Sequence, residues 1–129
     1  MSVSRPIAPR TIAAPAARYA HAVATQGAQR WLHTSGVVPT RADGTVPTDL
    51  GEQANVVWSN ILAMLTEAEM SISDIVSVTT YVVAGEDLAT VMGARDAVFG
   101  THIAASTLVT VPQLARSEWR MEIAIIAAA

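Results

Sequence analysis

The sequence predicts an α+β fold, one sheet in β-β-α-β-α-β-β order with two helices packed on one of its faces. Two segments, 48–70 and 86–99, space their apolar side chains three and four apart, which is the helical period. Five others, 18–24, 30–35, 75–83, 106–111 and 118–126, alternate in polarity or concentrate β-branched residues, as strands do. Two helices and five strands find their simplest layered solution in a single sheet covered on one side.

Residues 1–13 form a lead-in with Pro6 and Pro9, and residues 14–129 suit a single domain. Arg18–Ala24 meets a turn at Gln26-Gly27 and Arg30–Ser35 stops at Gly36, so these two runs are expected to pair as an antiparallel hairpin. Pro39 to Pro47, with Asp43-Gly44 at its centre, reads as a loop. In the long helix Leu50, Ala54, Val57, Trp58, Ile61, Leu62, Leu65 and Ala68 make one stripe, and Thr48 or Asp49 can cap its start. Ser71 and Ser73-Asp74 punctuate its end, and Ile75–Val83 has the content of a central strand. Leu88, Val91, Met92, Arg95, Val98 and Phe99 mark the second helix. The last two runs, joined by Pro112–Ser117, look like a second hairpin. The sheet face away from the helices lacks a covering element; Val76, Val78, Val82, Val109 and Val111 are read as its apolar residues, so copies of the chain are expected to cover it for one another.

A formal charge of −3 offers no basic face, which argues against nucleic acid as a partner. The absence of cysteine removes disulfides, thiolate chemistry and Cys-ligated zinc, and fits a reducing compartment. No run approaches the roughly 18 apolar residues of a membrane span, and no secretory segment is evident, so a cytoplasmic protein without a membrane partner is expected. His21, His33 and His102 stand singly, without a second ligand at helical spacing, and predict no metal. No nucleophile-elbow serine and no Gly-rich phosphate loop occur.

The main chemical signal is Glu122. Alternation in the last strand puts Trp119, Met121, Ile123 and Ile125 on one face and Glu118, Arg120, Glu122, Ala124 and Ile126 on the other. A carboxylate within an apolar strand is either paired, for instance with Arg120, or poised in a cleft as a general acid or base.

Taken in order, Arg18-Tyr19-Ala-His-Ala-Val23, Thr34-Ser35-Gly36-Val-Val-Pro39, Gln53, Asn60, Asp74-Ile-Val76, Thr79-Thr-Tyr81 and Met121-Glu122-Ile123 resemble the RidA/YjgF family of reactive-imine deaminases. The resemblance covers about residues 14–127. It implies a chorismate-mutase-like fold, a homotrimer with small-molecule clefts between subunits, and cofactor-free hydrolysis of enamines and imines to a keto acid and ammonia. In the family pattern an arginine of a Pro-Ala-Arg-Ser/Thr motif grips the substrate carboxylate by its two-pronged fork. Here that position is Ala105, followed by Ser106, and an asparagine expected early in the second helix falls on Met92.

The resemblance therefore assigns catalysis to Glu122, Tyr19 and Ser35 and a ligand-lining role to Gly36, Met92, Ala105 and Ser106, while His33, on one strand face with Ser35, and His102, three residues before the altered motif, are candidates to bind ligand by imidazole in place of the arginine. Each has a plainer reading: Tyr19 as an interface aromatic, Ser35 as a backbone-bonded turn residue, each histidine as a hydrogen-bonded surface or core group, Met92 as core. Arg18 and Arg116 could each grip an anion, or simply sit solvated at the surface. Two functions follow from a Rid-like cleft without its arginine. One is hydrolysis of an enamine, imine or related electrophile not held through the usual carboxylate contact; the other is a non-catalytic ligand-binding or regulatory trimer.

Overall fold

A computed structural model describes residues 3–129. The elements are β1 (Ser4–Ile7), β2 (Ala22–Thr25), β3 (Trp31–His33), α1 (Leu50–Glu67), a 3-10 turn (Ile72–Asp74), β4 (Ile75–Val83), α2 (Leu88–Phe99), β5 (Ala105–Val111) and β6 (Met121–Ala128). Four strands form the main sheet in the order β3-β6-β4-β5, while β1 and β2 form a separate antiparallel ribbon. The α+β class is that expected, and both helices lie on one face of the sheet, where Val57, Trp58, Ile61, Val91 and Phe99 share a core with Val78, Val82, Met121, Ile123 and Ile125.

Helix α1 forms where the stripe predicts, and Asp49 is its cap, accepting the Glu52 N–H at 3.0 Å. Leu62 departs from the stripe at 39% exposure. Asp87 caps α2 through the Ala89 N–H at 3.1 Å. The helices join edge to face through Trp58 and Phe99, with ring centroids 5.4 Å apart. Gln53, buried on α1, donates to the carbonyls of Pro47 and Glu118, each at 2.8 Å, and accepts the Arg120 N–H at 3.0 Å. That one amide ties the entrance of α1 to the entrance of β6.

The sheet differs from the sequence expectation in three places. The hairpin expected between residues 18–24 and 30–35 does not form: β2 pairs with β1, a strand inside the lead-in, and β3 pairs antiparallel with β6. The second expected hairpin is also absent, because β4 sits between β5 and β6, parallel to the first and antiparallel to the second. The connection over residues 112–120 is long enough to step across one strand. Third, Val78 and Val82 face the helices, not the open side. Their neighbours Thr79, Tyr81 and Val83 point the other way, alongside Ala105, Thr107, Val109 and Val111 of β5 and Glu122, Ala124 and Ile126 of β6. A register shift between Ile75 and Ser77 resets the alternation, and Val76 is buried outside the main core. The open face is therefore mixed in polarity, with Val109 at 40% and Trp31 at 53% exposure.

Candidate active site

The alternation of β6 directs Met121, Ile123 and Ile125 into the core and turns the half-buried Glu122 onto the open face. Its carboxylate lies over Gly36, where a Cβ would stand 1.9 Å from Oε2 and 2.5 Å from Cδ. Gly36 is brought there by the stretch after β3: the Thr34 N–H donates to the Ile125 carbonyl at 3.1 Å, and Val37 and Ile123 exchange both backbone bonds. The Thr34 hydroxyl accepts the Ile125 N–H at 3.0 Å, which opens the ladder at Ser35 and Gly36. Ser35, Gly36 and Glu122 thus form one cluster at the edge between β3 and β6. A cleft of about 400 Å³ opens at Ser35 and Gly36, with His33, Asn60 and Met64 also in its lining and Glu122 and Tyr81 outside it.

Arg120 does not pair with Glu122. It holds Glu86 at 2.9 Å and also donates to the Thr48 carbonyl. Among the described residues, Glu122 has neither a hydrogen bond nor an ion pair. Its cross-strand partner on β4 is Tyr81, half-buried on the same open face and likewise without a hydrogen bond among the described residues. Tyr81 was missing from the sequence-derived site because alternation fixes its face but not its neighbour.

A second group gathers at the far end of β5. Ala20 forms a parallel bridge with Ala105 and donates to the Ala104 carbonyl at 3.0 Å, which places Tyr19 beside Ala105. The Tyr19 hydroxyl accepts the Ala16 N–H at 3.2 Å, and its ring meets His21 edge-on at 5.9 Å. Ala105 faces the open side, whereas Ser106 faces the helices and accepts a bond from Arg95 at 3.2 Å. Arg95 is itself buried and paired with Asp96 at 3.0 Å. Ala105 lies across from Ser77, and Ser77 from Ile126, four residues along β6 from Glu122. The two groups are therefore separated by roughly 13 Å along the strands and roughly 10 Å across them. One protomer does not bring them together.

The remaining candidates have definite places. His102 bonds to the Ile75 carbonyl at 2.8 Å and packs on Phe99, and His21 bonds to the Ala13 carbonyl at 2.6 Å. His33 is exposed on the open face, stacked on Trp31 with centroids 6.4 Å apart. Met92 is half-buried on α2 beside the core residue Val91. Arg18 donates to the Gly100 carbonyl at the end of α2, and Arg116 lies over the Trp119 ring at 5.4 Å. Among the described residues no three His, Cys, Asp or Glu side chains group as metal ligands, and no helix is long and apolar enough to cross a membrane.

Comparison with known proteins agrees with this fold. TdcF of Escherichia coli strain K12, a protein assigned to the reactive intermediate deaminases, is 30% identical over 99 residues, 74% of this chain and 77% of its own. The crystal structure of YyfB from Yersinia pestis, a Rid-family protein of unknown function, superposes with a TM-score of 0.85 at 28% identity, covering 98% of this chain and 99% of that one. Escherichia coli TdcF solved with bound serine shares the fold, with a TM-score of 0.72 at 24% identity over 97% of this chain and 98% of that one. The endoribonuclease L-PSP family profile matches residues 10–129. With the family profile matching residues 10–129 and the fold superposing over nearly its whole length, the chain belongs to the endoribonuclease L-PSP family, the Rid/YjgF group.

Proposed function

We propose that this chain is a cofactor-independent hydrolase of small enamines or imines, with Glu122 as its acid/base group. The observation that supports it best is the Glu122 carboxylate, unpaired among the described residues and facing outward over Gly36 from an otherwise apolar strand. Glu122 takes a proton from water as the water oxygen bonds to the imine carbon, and the C=N electron pair settles on nitrogen with a proton from a second donor. Collapse of the resulting carbinolamine forms the carbonyl, breaks the C–N bond and releases ammonia. The sequence contains no lysine, so no lysine amine is present to form a Schiff base with the substrate.

The site is completed between copies. Tyr19 and Ala105 of one subunit meet Ser35, Gly36 and Glu122 of the next, and three such unlike contacts close a ring. Alanine at 105 sets the substrate class, since no guanidinium fork stands there for a carboxylate. The preferred substrates are imines without an α-carboxylate, or with one held by another group.

A panel of short imines with and without an α-carboxylate, offered to the native protein and to Glu122→Gln, tests this reading. Hydrolysis that is lost in the variant while the assembly keeps its size is the expected result. Ligand binding without conversion by the native protein would instead favour a non-catalytic binding trimer, for which the missing arginine is the supporting feature.

A further inference from the structure

The row of the open face that contains Glu122 runs Gly36, Glu122, Tyr81, Val109 across four successive backbones. Glu122 and Tyr81 are direct cross-strand partners, a relation that sets their Cβ atoms about 5 Å apart on one face. Both are half-buried, and neither side chain has a hydrogen-bond partner among the described residues. Two adjacent polar groups with unused bonding capacity, half-shielded from water, are expensive unless something binds them. Other polar groups nearby are already engaged: Arg120 is held by Glu86 and Thr48, while Val109 contributes an apolar wall.

We infer that Tyr81 is the second proton-carrying residue of the site, its phenol supplying the substrate nitrogen while Glu122 serves the water. This rests on the hydrolase reading above. In the first step Glu122 accepts a proton from water, the oxygen bonds to the imine carbon, and the nitrogen takes the phenol proton. The carbinolamine then gives its hydroxyl proton to the phenolate. Its C–N bond breaks, and the departing nitrogen takes the proton held by Glu122. One water is consumed, one carbonyl compound and one ammonia are formed, and both residues return to their starting states.

Two measurements test it. In the first, Tyr81→Phe keeps the ring and removes the hydroxyl; kcat for imine hydrolysis should fall about 100-fold with KM and assembly size unchanged. A variant retaining native kcat overturns the assignment. The second does not depend on turnover. The chain has two tyrosines, so in a Tyr19→Phe background the tyrosine ring resonances seen by NMR report Tyr81 alone. Glu122→Gln should shift those resonances, because the two side chains are cross-strand neighbours on one face. Unmoved resonances show that the two groups do not face each other and overturn the proposal. Failure of the native protein to hydrolyse any imine defeats the hydrolase reading and the donor role with it, while the ring resonances still decide the pairing.

Discussion

Glu122 occupies the space that a side chain at position 36 would need: a Cβ on Gly36 would lie 1.9 Å from Oε2 and 2.9 Å from Cγ of the glutamate. Gly36 does not have a positive φ, so alanine suits its backbone and the collision is with the far end of a mobile side chain. Gly36→Ala should cost about 1 kcal/mol or less in stability yet displace the carboxylate, lowering kcat at least about 10-fold. Denaturation and imine-turnover measurements on the same sample separate the two effects, and an unchanged kcat would remove Glu122 from the chemistry.

Ala105 faces the open side at the opposite end of the sheet, with Tyr19 beside it. Ala105→Arg places a carboxylate fork there, and kcat/KM for imines carrying an α-carboxylate should rise about 10-fold relative to those without one. A rise shared by both substrate classes would mean that position 105 does not read the carboxylate.

Gln53 is buried and bonds three backbone groups, at Pro47, Glu118 and Arg120. Gln53→Leu fills a similar volume but strands two carbonyls and one N–H, which should cost about 3 kcal/mol. Urea unfolding measures it. Because the lost bonds anchor the start of β6, the amides of Met121 and Glu122 should exchange faster in the variant.

The Thr45 N–H, at 3.0 Å, and the Thr45 hydroxyl, at 2.7 Å, both donate to Asp43, and these bonds hold its carboxyl below the ordinary 3.8; Arg41 adds a smaller attraction. A depressed folded-state pKa gives a contribution present above the unfolded value and lost as pH falls through the folded one. The turn at residues 41–45 should therefore hold at neutral pH and loosen as pH drops below 3.8, seen as faster exchange of the Thr45 amide. Asp43→Asn should remove that pH dependence.

Much of the fold was legible locally. The stripe through Val57, Trp58 and Ile61 and the β-branched run at Ile75–Val83 announce α1 and β4, because periodicity and composition are properties of the segment itself. Pairing is not such a property: alternation told which face Glu122 takes but not that β4 would intervene between β5 and β6. The strand Ser4–Ile7 was hidden by its length of four residues and its proline, which an edge ribbon tolerates. The same limit governed the site. Glu122 stands out in the sequence, whereas Tyr81 becomes interesting only once the register sets it opposite.

The pairing of β3 with β6 also places the cluster in time. Thr34 and Val37 are held by backbone bonds to Ile125 and Ile123, far later in the chain. Growing from its N-terminus, the polypeptide can form α1, β4 and α2 from local contacts while Ser35 and Gly36 wait without a ladder. Only when residue 128 has left the ribosome can the last strand slide between β3 and β4 and carry Glu122 into place. The Glu122–Gly36 cluster is thus assembled by the last strand of the sheet to be made, and a nascent chain stopped before Met121 has its helices but not that cluster.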